Sequence, residues 1–558
     1  MRKIGIVLFV LIGFFIKGNA QVSNFYKNGV VVSAHPEASQ VGVEILKKGG
    51  NAIDAAVAVE LALAVVYPNA GNIGGGGFMV YRRTDGAIDA LDYREKAPAQ
   101  ARENMYWTGD GSPITELSMK GGLASGVPGT VAGMVSAHEK YGSLAWEELV
   151  QPAIDLAEKG FLLTERQANE ITKYHDVFAK YSTQGTAMTS KAVWKAGDLF
   201  VQSELARTLK RIQKEGRKGF YEGDTAMLIV EEMKRGNGMM TLEDLKHYEA
   251  IWRKPIVGEY KGLKIISMPP PSSGGIALLA LFQSIESFPL NEWGFQAEKT
   301  IQVMVEAERR VYADRAVHLG DPDFWKVPQA QLINKAYNVE RMTSMNFDKA
   351  TLSSAIQAGE FKGYESEETT HYAIVDQWGN AVSATTTLND SYGSKVIVGG
   401  AGFLLNNQMD DFSVKPGTPN MYGLVGGKAN AIEGNKRMLS SMTPTIIEKS
   451  GKLYMVVGTP GGSTIITSVF QTILNVVAFD MTMQEAVDAP RFHHQWLPDC
   501  IDYEPKAIDL TIRKRLQKKG YVLKERKSYG RVEGILINAD GSYQAGADSR
   551  GDDVAKGY

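Results

Sequence analysis

Glu368-Thr369-Thr370-His371-Tyr372-Ala373-Ile374-Val375-Asp376 sets two threonines at the head of an alternating strand, deep inside a 558-residue chain. Threonine is a poor nucleophile unless a base sits beside it, and one base within its reach is its own α-amino group. That amine exists only if the chain is cut before the threonine. An α-amine titrates near about 8, so much of it is neutral and proton-accepting at ordinary pH. The stretch poses a choice: Thr369 is a latent N-terminus, or it is an ordinary strand residue.

Outward from it, residues 372–375 and 382–388 flank Gln377-Trp378-Gly379-Asn380, a turn-like break that predicts a hairpin. Counting outward from a loop of three or four residues sets Thr369 opposite Thr387 or Leu388. Period two puts Thr385, Thr387 and Asn389 on one face of the second strand, brought up to the first threonine. The polar run from about Lys349 to Glu368 reads as a loop or a domain boundary. Upstream, residues 36–66 predict two helices, the first ended by Gly49-Gly50-Asn51, and residues 146–233 look mostly helical. Residues 256–267 predict strands, and a further helix runs from about Thr300 to Arg315.

Polar residues cluster after the hairpin. Leu404-Leu405 reads as an apolar strand running into Asn406-Asn407-Gln408-Met409-Asp410-Asp411-Phe412. Ser440-Ser441 lie in a loop of paired hydroxyls. Val456-Val457-Gly458-Thr459-Pro460-Gly461-Gly462-Ser463 is a strand ending in a glycine turn that opens a helix at residues 464–476. Backbone N–H groups at such a turn can hold an oxyanion. Each also has a plain reading as loop, turn or strand end. Gly74 to Gly77 is not a phosphate-binding loop, because no Lys-Ser/Thr follows and the run precedes a strand; close backbone approach is the better account. Arg94 is a surface ion pair or a fork for a carboxylate, and spacing alone favours the ion pair.

Composition narrows the function classes. Hydrophobic residues make up 44% and charged residues 22%, ordinary for a globular protein with a sizeable core. The formal net charge is −2 with Lys and Arg scattered, which argues against a nucleic-acid partner. Arg2-Lys3, the apolar run of residues 4–16 and Gly18-Asn19-Ala20 form a signal-peptide pattern over residues 1–20, with an uncleaved anchor as the competing reading. Cleavage after Ala20 removes three positive charges, Arg2, Lys3 and Lys17, taking the net charge from −2 to −5. Residues 55–66 are apolar but short and contain Glu60, so they predict a buried helix. Cys500 is the only cysteine, so no intrachain disulfide forms and stability must come from the core. With no cysteine pair or close His spacing a zinc site is not expected, and packing or polar contacts suit His493 and His494. These features suit a periplasmic enzyme.

Seven segments in register resemble the γ-glutamyltranspeptidase family of N-terminal-nucleophile hydrolases. They are Gly71-Asn72-Ile73-Gly74-Gly75-Gly76-Gly77-Phe78, Asp92-Tyr93-Arg94-Glu95, Pro269-Pro270-Pro271-Ser272-Ser273-Gly274-Gly275, Thr369-Thr370-His371-Tyr372, the Asn406–Phe412 run, Ser440-Ser441-Met442 and Pro460-Gly461-Gly462-Ser463. The resemblance covers essentially the whole mature chain. It implies an α+β fold, the αββα four-layer sandwich in which two sheets stack between helical layers. It implies a precursor that cuts itself between Glu368 and Thr369, giving a large subunit, 21–368, and a small catalytic subunit, 369–558, entwined as a heterodimer. Similar bacterial enzymes often carry Gln where this chain has Glu368; the change is expected to alter cleavage rate more than competence, since the attacking atom is on threonine.

The same resemblance implies the roles. Arg94, with Ser440 and Ser441, takes the substrate carboxylate; Asp411 takes the ammonium, with Asn389 and Gln408 as hydrogen-bond partners. Thr369 attacks the γ-carbonyl, Thr387 orients it, and the N–H groups of Gly461 and Gly462 hold the oxyanion. Residues 416–427, containing Tyr422, resemble a lid. No cofactor and no metal are implied. The expected activity is γ-glutamyl transfer from glutathione and related amides to water or to amino-acid and dipeptide acceptors. Two alternatives stand beside it: an acylase for glutaryl-type amides, which Asp411 disfavours because a glutaryl chain has no ammonium, and a non-catalytic binding protein of the same fold.

Overall fold

The hairpin is present in the computed structural model, which describes residues 25–357, 369–415 and 427–558. The expected leader at 1–20, Glu368 before the cut, and residues 416–426 of the expected lid, with Tyr422, lie outside the described residues. Thr370–Val375 pairs antiparallel with Ala381–Thr387, Thr370 opposite Thr386 and Val375 opposite Ala381. The Asp376 carboxylate closes the loop by accepting from the Trp378 and Asn380 N–H groups, both at 2.9 Å.

The hairpin sits in the middle of a seven-stranded sheet. In order of neighbours its strands are Val554–Gly557, Val30–Ser33, Thr370–Val375, Ala381–Thr387, Gly76–Arg82, Ile88–Asp92 and Ile251–Arg253. A second seven-stranded sheet runs Phe25–Tyr26, Tyr543–Ala547, Glu533–Ile537, Lys452–Gly458, Thr445–Lys449, Leu263–Ser267 and Ile256–Tyr260. Alternation along the strands decides the layering, because successive side chains leave a strand on opposite faces. Val31, Tyr372, Ile374, Val382 and Ala384 share one core with the helices Pro36–Lys47 and Ala52–Val66. Val30, Val32, Ala373, Val375 and Ala381 share the other with Ile265, Ile446 and Val456 of the second sheet and with the helices Gly274–Ile285 and Thr464–Val477. The result is helix, sheet, sheet, helix, the expected four-layer sandwich.

The helix Ala52–Val66 is buried along its whole length, as expected for an element apolar all round. Its Glu60 is fully buried, and burial pushes its carboxyl up to about 7. The punctuation before it divides finely: Gly49 takes a left-handed φ of 94° after the first helix, whereas Asn51 opens the second helix with a reciprocal cap to Asp54. One expectation is corrected. Leu404-Leu405 is not a strand; Leu404 makes only an isolated bridge to Ile397. The next residue diverts the backbone partners, since the Asn406 amide donates to the Gly74 and Gly126 carbonyls and accepts from the Gly126 N–H at 2.8–2.9 Å.

Candidate active site

Thr369 is 3% exposed and heads the first hairpin strand. The same register carried one residue further sets it against Thr387, and its side chain follows His371, Ala373 and Val375 onto the face between the two sheets. Thr370 points to the opposite, helix-covered face with Tyr372. This parity separates the two threonines. The ring of His371 accepts from or donates to Thr385 Oγ1 through Nδ1 at 2.9 Å. Burial holds His371 neutral, its pKa lowered to about 3. A Cβ at Gly458 would lie 2.3 Å from that ring, so the strand Lys452–Gly458 meets the hairpin sheet at His371. The glycine turn that follows Gly458 therefore begins beside the Thr369 end of the hairpin.

That turn has the expected form. Gly461 and Gly462 have φ of 135° and 56°, conformations that side chains oppose. Their carbonyls accept from Thr464 and Ile465 at 3.1 and 3.0 Å, opening the helix Thr464–Val477. The N–H groups at the start of a helix have no acceptor within the helix itself. Across the hairpin, Thr387 Oγ1 accepts from the Asn389 N–H at 2.8 Å. Asn389 then donates from its side chain to the Asn407 carbonyl at 3.0 Å, which ties the second strand's end to the segment carrying Asp411.

The charged part of the site is buried. Arg94 and Asp411 are 1% and 4% exposed and form a direct ion pair. This corrects the expectation of a surface ion pair: the pairing is right, the location is not. The Arg94 guanidinium also donates to the carbonyls of Met438 and Leu439 at 3.3 and 3.0 Å. Gln408 donates to Asp411 Oδ2 at 2.8 Å. Burial raises the Asp411 carboxyl pKa while Arg94 opposes the rise. Asp411 Oδ1 and Gln408 Oε1 have no hydrogen-bond partner among the described residues.

Ser440 and Ser441 are 3% exposed and sit in the loop that supplies the Arg94 acceptors. Ser273 donates to the Ser440 carbonyl at 2.7 Å, and Ser272 to the Met442 carbonyl at 2.6 Å. Through these two serines the Pro269–Gly275 segment holds this loop. Two other residues escaped the sequence reading. Arg315, on the helix Glu298–His318, donates to Ser273 at 2.9 Å and Ser441 at 3.2 Å. Asn430 donates to the Asp411 carbonyl at 2.6 Å and accepts from the Leu439 N–H at 3.0 Å, clamping the two loops together. Neither carried a distinguishing sequence signal: Arg315 is one of three arginines on a helix rich in charged residues. The glycine run closes the arrangement: a Cβ at Gly75 would stand 2.1 Å from the Thr387 carbonyl and one at Gly74 2.1 Å from that of Leu404. Among the described residues no group of three or more His, Cys, Asp or Glu could hold a metal ion.

A family profile described as Gamma-glutamyltranspeptidase matches residues 38–558. The chain is 46% identical over 541 residues to the glutathione hydrolase proenzyme of Escherichia coli (strain K12), covering 95% of this chain and 92% of that one. It is 47% identical over 515 residues to the glutathione hydrolase proenzyme of Pseudomonas sp. (strain A14), covering 92% and 89%. Among solved structures, the γ-glutamyltranspeptidase of Helicobacter pylori is 48% identical at a TM-score of 0.58, over 59% of this chain and 94% of that chain. The cephalosporin acylase from Bacillus halodurans aligns over 99% of both chains at a TM-score of 0.86 and 24% identity, a likeness of fold alone.

Proposed function

The chain belongs to the γ-glutamyltranspeptidase family, and on that premise we propose how it works as a glutathione hydrolase and γ-glutamyltransferase with Thr369 as an N-terminal nucleophile. The reading is carried by the join of two features: a buried threonine whose strand parity matches that of Ala373 and Val375 on the face between the sheets, and a buried Arg94–Asp411 pair tied to the same hairpin end through Asn389 and Asn407. A γ-glutamyl group carries a carboxylate and an ammonium on one carbon. Arg94 with Ser440 and Ser441 matches the first charge, Asp411 with Gln408 and Asn389 the second.

Cleavage between Glu368 and Thr369 exposes the threonine amine. That amine takes the Thr369 hydroxyl proton as Oγ1 attacks the γ-carbonyl carbon, and Thr387 sets the hydroxyl's direction. Negative charge then gathers on the former carbonyl oxygen, where the Gly461 and Gly462 N–H groups receive it; one such donor is worth about 3 kcal/mol of barrier. Collapse breaks the amide bond, the amine leaves with the proton, and an ester to Thr369 remains. Water attacking that ester gives glutamate; an amino-acid or dipeptide amine gives a new γ-glutamyl amide.

The cut would leave pieces of 348 residues, 21–368, and 190 residues, 369–558. Support comes from the solved Helicobacter pylori chain, nearly all of which aligns to 59% of this one, close to the share the first piece takes. The leader pattern at residues 1–20 supports export, with the periplasm as destination. Among the described residues no helix is long and apolar enough to cross a membrane.

A denaturing gel tests the reading. Purified wild-type protein is expected to give two bands, and Thr369→Ala one full-length band. A single full-length wild-type band after long incubation would sink the mechanism.

A further inference from the structure

The second hairpin strand, Ala381–Thr387, runs into a turn whose backbone leaves the ordinary conformations. Asn389, Tyr392 and Lys395 take left-handed φ of 79°, 60° and 67°, and Gly393 one of 53°. Asparagine tolerates that region, but tyrosine and lysine adopt it only where their surroundings hold them there. Lys395 supplies one hold from inside the turn. Its side chain is 2% exposed, and its ammonium donates to Asp390 Oδ2 at 2.8 Å, to the Ser391 carbonyl at 2.5 Å and to the Gly393 carbonyl at 2.7 Å. The Tyr392 ring supplies another, with its centre 5.2 Å from those of both Tyr174 and Phe178 on the helix Glu165–Tyr181. The turn lies against the segment that leads to Asp411. A Cβ at Gly393 would stand 2.2 Å from the Leu405 carbonyl, and the Ser394 N–H donates to that carbonyl at 2.9 Å. Asn407 is gripped by two consecutive turn residues: the Asp390 N–H donates to its side-chain oxygen at 2.9 Å, and the Asn389 side chain to its carbonyl at 3.0 Å.

We propose that Lys395 is a positioning residue for recognition of the substrate ammonium. It acts through the turn it fastens, which sets Asn389 in place and, by way of Asn407, the segment Gln408–Asp411 that follows. The inference rests on the function proposed above, in which Asn389, Gln408 and Asp411 meet that ammonium. The chemistry suits lysine. An ammonium carries three N–H donors around one point, so it can draw together a carboxylate and two carbonyls that converge from a single tight turn. A guanidinium spreads its donors over a flat fork and does not match that convergence. Asp390 is the link from charge to geometry: its carboxylate is bound by Lys395 while its N–H fixes Asn407, next to Gln408. Taking the ammonium away leaves the left-handed residues with a weaker hold, and the turn relaxes toward ordinary conformations. Asn389 and Asn407 move with it, whereas Arg94 and the serine loop, held from other elements, stay where they are.

The test compares wild type with Lys395→Met, which keeps the length of the side chain and drops its charge, and with Lys395→Arg, which keeps the charge and changes its shape. Hydrolysis of γ-glutamyl-p-nitroanilide is inhibited competitively by L-glutamate and by glutarate, two compounds that differ only in the ammonium. An inhibition constant does not depend on what fraction of the protein has been cut or folded, so a merely structural loss leaves it unmoved. Lys395→Met is expected to weaken L-glutamate about tenfold, the worth of one hydrogen bond to a charged group, and glutarate by less than about twofold. Lys395→Arg should fall between wild type and Lys395→Met. Equal weakening of both inhibitors, or of neither, overturns the role. Asp390→Asn should give the same selective loss at about threefold, and it decides the matter where Lys395→Met yields no cut enzyme; an unselective result there overturns the role as well. Wild type that releases no p-nitroaniline would instead overturn the function on which the role rests, and the role with it.

Discussion

Glu95 stands fully buried beside Arg94, 3.6 Å from its guanidinium, and neither carboxylate oxygen has a hydrogen-bond partner among the described residues. Burial pushes its pKa from 4.5 up to about 8, against the opposing pull of Arg94. In neutral solution Glu95 is therefore mostly protonated. The consequence for stability has a definite sign. Between pH 4.5 and about 8 the unfolded chain has lost the proton that the fold keeps, so unfolding releases it and stability falls as pH rises. Below that window both states hold the proton, so the dependence vanishes and stability is fully retained. Glu95→Gln removes the penalty: its melting temperature should gain on wild type from pH 5 to pH 8, read by calorimetry. A difference that stays constant with pH would contradict a protonated Glu95. Cys500 belongs to the same scale; burial pushes its thiol up to about 11, so it is not a reactive thiolate at neutral pH.

Elements meet at this site through backbones rather than side chains, and glycine makes the approach possible. The run Gly74–Gly77 leads into the strand Gly76–Arg82, which flanks the hairpin with Gly76 opposite Thr387. Asn72 bridges the two, donating to the Thr387 carbonyl at 2.9 Å and accepting from the Gly75 N–H at 2.9 Å. A Cβ at Gly75 would meet both that carbonyl, at 2.1 Å, and the Asn72 amide, at 2.7 Å. Backbone cannot yield as a flexible side chain does, so Gly75→Ala should cost at least the 1–3 kcal/mol or so typical of overpacking. Its expected outcome is a lower melting temperature and slower appearance of the two bands, since Thr387 is displaced. Unchanged cleavage at full stability would separate Thr387 from the cutting step.

Across the whole molecule, both sheets mix strands from the two sides of the expected cut. Val30–Ser33 lies between Thr370–Val375 and Val554–Gly557, and Thr445–Lys449 between Leu263–Ser267 and Lys452–Gly458. Cutting one peptide bond removes none of these ladders or the cores they enclose. The pieces should co-elute in native size exclusion and separate only in denaturant. Separation in native buffer would contradict the interleaved sheets.

Much of this was legible in the sequence for local reasons. Strand alternation and a turn around Gly379 predicted the hairpin, the apolar run with Glu60 predicted a buried helix, and the strand-to-glycine-turn pattern predicted Gly461 and Gly462. Period two even brought Thr387 to the first threonine. The motif resemblance supplied the roles of Arg94 and Asp411, but not their burial. Other facts depended on contacts between distant segments, which a local pattern cannot encode: Arg94 pairing with Asp411, and Arg315 and Asn430 bracing the serine and aspartate loops. The resemblance named Thr369, but which face of the strand each threonine takes belongs to tertiary structure, because a strand offers two equivalent faces until a second sheet covers one of them.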